Sequence, residues 1–187
     1  MDIKHLEEVM ASADCLYTKS EVEAALDALA VSVTEQLAHT QPIFLCVMVG
    51  GLIPMGHLLL RLNFPLELDY LHATRFCGNT LGGELNWVAK HRLNLKERTV
   101  VVVDDILDTG LTMKAVLEVC RDAGAKDVYS LVLVDRPASR NPKGEQQANF
   151  VGLQVPDRYI YGYGLDYKEY LRNAPGIYAI KPEYEGK

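Results

Sequence analysis

The stretch Val100-Val101-Val102-Val103-Asp104-Asp105-Ile106-Leu107-Asp108-Thr109-Gly110-Leu111-Thr112 decides the reading of this chain. Four consecutive valines fit a strand buried on both faces, the pattern of a parallel sheet covered by helices. Asp104 and Asp105 follow without a break, and in open α/β sheets ligands bind beyond the carboxyl ends of the strands. Ile106 to Thr112 reads as a turn carrying hydroxyls and a glycine just ahead of a helix. Backbone N–H groups at a helix start, joined by the Thr109 and Thr112 hydroxyls, make a cradle for phosphate. Two adjacent carboxylates beside it suit a vicinal diol or a hydrated divalent cation. A sugar phosphate is therefore the expected ligand. A polar strand end with a helix cap is the plainer reading of Asp-Asp, and it leaves the rest of the string unexplained.

Working outward, Ile43–Val49 and Val128–Val134 are further apolar runs read as buried strands, with another strand expected around Leu66–Ala73. Gly50-Gly51 breaks the first run, and Pro54 restarts the chain as a helix to about Arg61. Strand, loop and helix thus explain the nearly uncharged segment Pro42–Leu60 better than a membrane span does. Ser20-Glu21-Val22-Glu23 reads as a capping box. Val22, Ala25, Leu26, Leu29, Val33 and Leu37 then recur at helical spacing. A later helix is expected from about Thr112 to Ala123, closed by Gly124. Strands alternating with helices predict an α/β fold, a parallel β-sheet flanked by helices. Thr74–Trp87 contains Gly78, Asn79, Gly82 and Gly83 with little periodicity, and reads as a mobile loop. Past Arg136, prolines punctuate Tyr-rich segments, read as a small hood subdomain that does not continue the sheet. One domain over 1–187 is expected, with a core at about 20–136, the loop at about 74–87 and the hood at about 137–187. An N-terminal contribution to the hood is left open.

The 187 residues carry 19 Lys and Arg against 25 Asp and Glu, a net charge of −6. That balance argues against nucleic-acid and anionic-membrane partners, which call for a basic face, but not against an anionic metabolite. Apolar residues at 49% and charged residues at 24% exclude disordered and fibrous classes. Cys15, Cys46, Cys77 and Cys120 match no CxxC or zinc spacing and are expected as free thiols of a reducing cytosol. Met1–Leu16 lacks the basic start and apolar stretch of a signal peptide, so a cytoplasmic location is expected. No GxxxxGK[ST], strand-borne GxGxxG, HExxH or GxSxG occurs, which removes the commonest phosphate-loop, dinucleotide, zinc-protease and serine-hydrolase readings.

The opening string resembles the phosphoribosyl pyrophosphate (PRPP) binding motif of type I phosphoribosyltransferases. Asn149-Phe150-Val151-Gly152, Val155-Pro156-Asp157-Arg158-Tyr159 and the run Gly162 to Arg172 resemble the C-terminal part of hypoxanthine-guanine phosphoribosyltransferases. The resemblance runs from about Ile43 to the C-terminus. It implies a flexible catalytic loop, a hood, and magnesium-dependent transfer of ribose 5-phosphate from PRPP to a 6-oxopurine base with release of pyrophosphate. By the resemblance, Asp104 and Asp105 hold the ribose hydroxyls and join Asp166 in the magnesium site. Asp108 is the general base near purine N7. Thr109, Gly110, Leu111 and Thr112 bind the 5′-phosphate. Val49, Gly50 and Gly51 meet pyrophosphate together with Arg75 and Arg172. Arg136 contacts the exocyclic O6, Tyr159 stacks on the purine, and the Ile160 backbone reads the base edge. A homodimer or homotetramer is implied as well.

Three positions depart from that pattern. Val49 stands where many relatives place Lys or Arg, which leaves the loop to backbone N–H groups and a strained peptide bond. Arg75-Phe76 stands near the usual Ser-Tyr pair. Arg136 replaces a lysine, and the two cations are not interchangeable. A cation at O6 favours a 6-oxopurine, because adenine would set a donor against a donor. A second reading is a PRPP-sensing regulator of the same fold with weak turnover, as in RNA-binding attenuators of pyrimidine operons. The retained Asp108, the hood and the absence of a Lys/Arg cluster favour the enzyme. Transfer to adenine or a pyrimidine is a third reading, disfavoured by the hood.

Overall fold

The structure, a computed structural model, describes residues 1–75 and 85–185. In chain order the elements are α1 (Ile3–Ser12), β1 (Asp14–Tyr17), α2 (Lys19–Leu37), β2 (Ile43–Met48), α3 (Leu52–Leu59), β3 (Glu67–Arg75) and β4 (Leu85–Ala89). They continue as β5 (Thr99–Leu107), α4 (Leu111–Asp122), β6 (Asp127–Asp135), β7 (Phe150–Gln154), β8 (Ile160–Tyr161) and β9 (Ile177–Ala179). The central sheet has the order β4-β3-β2-β5-β6-β7. Every neighbouring pair in it is parallel except the edge pair β3–β4. The expected α/β architecture, a mostly parallel sheet flanked by helices, is therefore what the chain adopts.

The valine run explains where β5 sits. Val101 and Val103 pack with residues of α2 and α3, while Val100 and Val102 pack with residues of α4. All four are fully buried, each contributing about 1.5–3 kcal/mol of transfer free energy. A strand with no polar face fits only between two helical layers. The winding starts at β2, moves outward to β3, and returns to β5 on the other side of β2. At such a switch point the connections leave on opposite faces and a crevice opens beyond the strand ends.

Pairing shows the crevice directly. β5 pairs with β2 from Val100 to Val103 and then parts from it, yet stays with β6 as far as Leu107. Asp104 and Asp105 therefore lie inside the strand rather than past its end, correcting the expected boundary at Val103. The extra residues have a partner on the β6 side alone, and the turn shortens to Asp108–Gly110.

Other boundaries also move. β3 reaches Arg75 and β4 occupies Leu85–Ala89, with His72 opposite Ala89, so both ends of the expected loop at 74–87 are strand. Antiparallel pairing at the sheet edge and packing of Trp87 on the α4-side core supply order that local sequence does not advertise. Residues 76–84 of that expected loop lie outside the described residues, as does Cys77. β7 runs parallel to β6 and completes the sheet, correcting the view that everything after Arg136 is hood. Phe150 is buried beside α2 residues there. The hood sheet has the order β1-β9-β8 and takes its first strand from the N-terminal segment. No helix forms at Tyr167–Arg172, where turns and a Tyr167–Tyr170 bridge stand instead.

The capping box of α2 is Thr18–Glu21, not Ser20–Glu23. The Thr18 N–H donates to Glu21 Oε2 at 2.8 Å, and the Glu21 N–H donates to Thr18 Oγ1 at 3.4 Å. Glu23 is instead shared by Tyr163 Oη, Arg61 and His57. Among the described residues, Cys15, Cys46 and Cys120 are free thiols, and no helix is long and apolar enough to cross a membrane. Thr18→Ala is expected to lower stability by about 1 kcal/mol through loss of this cap, read as a lower urea midpoint with an unchanged slope.

Candidate active site

Two adjoining pockets occupy the crevice. One, of about 270 Å³, is lined by Asp104, Asp105, Asp108, Thr109, Gly110 and Thr112 among others. The second, of about 360 Å³, is lined by Asp105, Asp108, Arg136, Tyr159, Ile160 and Asp166 among others. They share Asp105, Ile106 and Asp108. The turn between them depends on Gly110, whose φ of +77° lets the chain reverse into α4. Leu111 lines neither pocket; it begins α4, and only its backbone faces the turn.

The carboxylates are crowded. The Asp105 N–H donates to Asp104 Oδ1 at 2.9 Å and the Ile106 N–H to Asp105 Oδ1 at 2.7 Å. Loss of solvation pushes the Asp104 carboxyl well above the usual range, and the neighbouring Asp105 charge pushes it further. Asp105 is also raised by burial, against the opposing pull of its hydrogen bond with Asp104 and of Arg172. Arg172 faces the cluster: Nη1 lies 4.0 Å from Asp105 Oδ2, and Nη2 lies 2.9 Å from Asp166 Oδ1. Its Nη1 also donates to the Gly164 carbonyl at 2.7 Å. Asp166 caps no helix; its Oδ2 accepts from the Glu169 N–H at 2.8 Å.

In the second pocket Arg136 reaches Asp108 Oδ1 through Nη2 at 2.8 Å and Nε at 3.2 Å. Its Nη1 donates to the Arg158 carbonyl at 2.7 Å. Arg158 is tied in turn to Asp14 of β1 and to the Ile180 carbonyl. Arg136 does not pair with its sequence neighbour Asp135, which is taken by Arg140. Tyr161, Tyr163 and Tyr167 are buried in the hood, whereas Tyr159 is 36% exposed and meets Tyr167 edge-on at 5.7 Å. One tyrosine of the run is thus left with surface toward a pocket.

The loop after β2 touches the same cluster. A Cβ on Gly50 would overlap the Asp105 carboxylate, and one on Gly51 would lie 2.6 Å from the Val103 carbonyl. Backbone alone fits between β2 and β5 here. The Met48–Val49 peptide bond is cis and Val49 is exposed. Arg75 ends β3, and its side chain lies outside what is described. Sequence reasoning missed the hood contribution of Asp14, the Arg158 carbonyl, and Arg140 with the segment behind the Asp108–Gly110 turn. No spacing or composition signal marks these, since each acts through contacts distant in sequence.

The residues present suit the magnesium that the resemblance implies. Asp104, Asp105 and Asp166 offer only carboxylate oxygens, the donor type a hard cation takes. The carboxyls of Asp104 and Asp105 are raised by burial, and a divalent cation would relieve that cost. Among the described residues no three such side chains converge into a cage, in keeping with an ion that retains waters and substrate oxygens.

Comparison with known proteins places this fold and crevice in a class. Residues 12–160 match the model of the phosphoribosyl transferase domain, and the chain belongs to that family. The chain is 32% identical over 168 residues to the hypoxanthine-guanine phosphoribosyltransferase of Bacillus subtilis, covering 89% of this chain and 92% of that one. Its structure is similar to a hypoxanthine phosphoribosyltransferase from Staphylococcus aureus, with a TM-score of 0.87, 27% identity and coverage of 93% and 94%. It is likewise similar to a hypoxanthine-guanine-xanthine phosphoribosyltransferase, with a TM-score of 0.81, 29% identity and coverage of 90% and 96%.

The carboxyl pair predicts a pH signature. Asp104 holds its proton to higher pH in the folded chain than in the unfolded one. Between those values the folded state binds more protons, so stability falls as pH rises. Asparagine keeps Oδ1 for the Asp105 N–H but carries no charge. Ligand-free Asp104→Asn should therefore melt above the parent near neutral pH, with the gap closing as pH falls toward the ordinary aspartate range. A gap that is absent, or that widens in acid, would contradict this account of the pair.

Proposed function

We propose that this chain is a purine salvage enzyme that transfers ribose 5-phosphate from PRPP to hypoxanthine or guanine, with xanthine a further substrate to be tested. The products are the nucleoside 5′-monophosphate and pyrophosphate. The observation that carries this is the pair of pockets joined through Asp105 and Asp108, one beside the glycine turn and the other between Arg136 and Tyr159. The relatives' names support the same reaction.

In this reading the sugar phosphate lies in the first pocket. Amides of the Asp108–Leu111 turn and the Thr109 and Thr112 hydroxyls bind the 5′-phosphate. Asp104 and Asp105 accept hydrogen bonds from the ribose hydroxyls. The base lies in the second pocket, with Tyr159 against its face, Arg136 donating to O6 and the Ile160 backbone at its edge. Both contacts of Arg136 use Asp108 Oδ1, so Oδ2 is assigned to the N7 proton. As the N9–C1′ bond forms, the C1′–O bond breaks and its electron pair leaves with pyrophosphate. Asp108 takes or holds the N7 proton. The Gly50 amide, Arg172 and the Arg75 side chain are assigned to pyrophosphate, where charge develops. The Gly51 N–H is held by the Val47 carbonyl at 3.0 Å, so Gly51 serves by its lack of a side chain. Magnesium held by Asp104, Asp105 and Asp166 with substrate oxygens would stabilise the same charge.

We assign the chain to the cytoplasm and to a homodimer or homotetramer. Exposed apolar side chains on α3 (Leu52, Leu60 just beyond it), β3 (Leu68, Tyr70) and β4 (Val88) support self-association. The arrangement by regions, a core, a loop and a hood over 1–187, is retained as a working division with β7 moved to the core.

Pure protein with PRPP and magnesium should convert hypoxanthine and guanine to nucleotides, with adenine at least about 100-fold poorer because Arg136 presents a donor to its 6-amino group and with uracil, a single ring, poorer as well. No product with any base would favour the regulatory reading, and adenine preference would overturn the role of Arg136. Product formation should collapse in a chelator. Asp108→Asn should lower kcat by about 10²–10⁴-fold while the KM for PRPP stays within a few-fold; an unchanged kcat removes Asp108 from the proton-transfer role.

A further inference from the structure

Behind the Asp108–Gly110 turn lies a second loop, and one side chain of it makes an unusual set of contacts. Arg140 is 10% exposed, and its Nη2 is paired with the Asp135 carboxylate, itself 12% exposed. Its Nη1 donates to the Leu107 carbonyl at 2.5 Å and to the Asp108 carbonyl, with the Arg136 carbonyl 3.4 Å away. Its Nε donates to the Gln146 carbonyl at 3.1 Å. Next to it, the Asn141 N–H donates to the Thr109 carbonyl at 3.0 Å and the Glu145 N–H to the Gly110 carbonyl at 2.9 Å. Four successive carbonyls, 107 to 110, thus each accept from residues 140–145; the Leu107 carbonyl also accepts from the Arg136 N–H at 3.1 Å and the Gly110 carbonyl from the Lys114 N–H at 3.0 Å.

The geometry of the peptide unit turns this into a statement about the pocket. In a trans peptide the C=O and the following N–H point in opposite directions. Carbonyls 107 to 109 drawn toward the backing loop leave the N–H groups of residues 108 to 110 turned the other way, on the side of the pocket that Asp108, Thr109 and Gly110 line. Arg140 lines neither pocket, so any effect it has on a ligand passes through these peptides.

We propose that Arg140 is a positioning residue for the phosphate cradle, its guanidinium holding the Leu107 and Asp108 carbonyls back so that the Asp108 and Thr109 amides face the 5′-phosphate. The inference rests on the sugar-phosphate reading of the first pocket given above. A guanidinium is suited to the task because its fork engages a carboxylate and several carbonyls at once. The Asp135 carboxylate fixes the fork from the neighbouring strand end, so the cradle inherits the rigidity of the β5–β6 pair.

The test separates a phosphate-specific role from general support. Ribose 5-phosphate and inorganic pyrophosphate are each titrated into the protein by calorimetry with magnesium present. In Arg140→Met, ribose 5-phosphate should bind about tenfold or more weakly, the loss expected when charge-assisted backbone contacts are misaligned, while pyrophosphate stays within about twofold. Arg140→Lys should fall between Met and the parent, since an ammonium can hold a carbonyl but not the whole set. Asp135→Asn should move ribose 5-phosphate affinity in the same direction by less, and it decides the matter if Arg140→Met does not fold. Unchanged ribose 5-phosphate affinity, or equal losses for both ligands, overturns the proposal. A parent that binds ribose 5-phosphate but turns over no base overturns the enzymatic reading alone, since the titration judges Arg140 without catalysis. A parent that binds no ribose 5-phosphate overturns the cradle itself.

Discussion

The structure turns on one asymmetry in pairing. β5 leaves β2 after Val103 but remains bonded to β6 through Leu107. Four residues of strand therefore have backbone order without a neighbour on one side. That gap admits the Gly50-Gly51 loop, whose lack of side chains is enforced by Asp105 and the Val103 carbonyl. It also leaves Asp104 and Asp105 at a rim that the strand fixes more rigidly than a loop would. Extending the β2–β5 ladder by two residues would fill the crevice with backbone.

Holding carboxylates there has an energetic cost. Burial and mutual proximity raise both carboxyls, and the cation facing them, Arg172, is shared with Asp166 and Glu169. Arg136 is likewise paired with Asp108. An acidic chain of net charge −6 thus holds both Arg136 and Arg172 against carboxylates at the crevice. Under the proposed function, backbone amides and a divalent ion would share the phosphates with Arg172 and Arg75, which makes the orientation of the Asp108–Leu111 peptides consequential. Stability is given up at the pair, a trade familiar at functional sites, and the proposed ligand hydroxyls and metal would recover it.

Much of this was legible in the sequence, for identifiable reasons. A run of four valines can be satisfied in few ways, so the doubly covered strand and the fold class followed from local pattern. Asp104, Asp105, Asp108, Gly110 and Thr112 are close in sequence, so their convergence needed only one turn. β4 and β7 were not legible as sheet members, because short strands are defined by partners far along the chain. The boundary error at Val103 has the same origin, since β6 and not the residues themselves keeps β5 extended. Arg140 was invisible because its function lies in carbonyls, which carry no sequence signature. The hood's tyrosines looked alike as letters, and only packing separated exposed Tyr159 from buried Tyr161, Tyr163 and Tyr167.

The pairing of β1 with β9 has a consequence for assembly. Asp14 lies opposite Ala179, so closing this ladder joins segments separated by most of the chain. The β2–α3–β3 and β5–α4–β6 units close over far shorter spans, and short-span contacts form at lower entropic cost and faster. The half of the crevice formed by the Asp108–Gly110 turn is therefore built from early, local contacts. The half that faces the base, with Arg158 anchored on Asp14 and supporting Arg136, is completed last. Contacts closed over so long a span cost the most chain entropy to form, which ties the Arg136–Tyr159 side of the crevice to the contacts slowest to assemble.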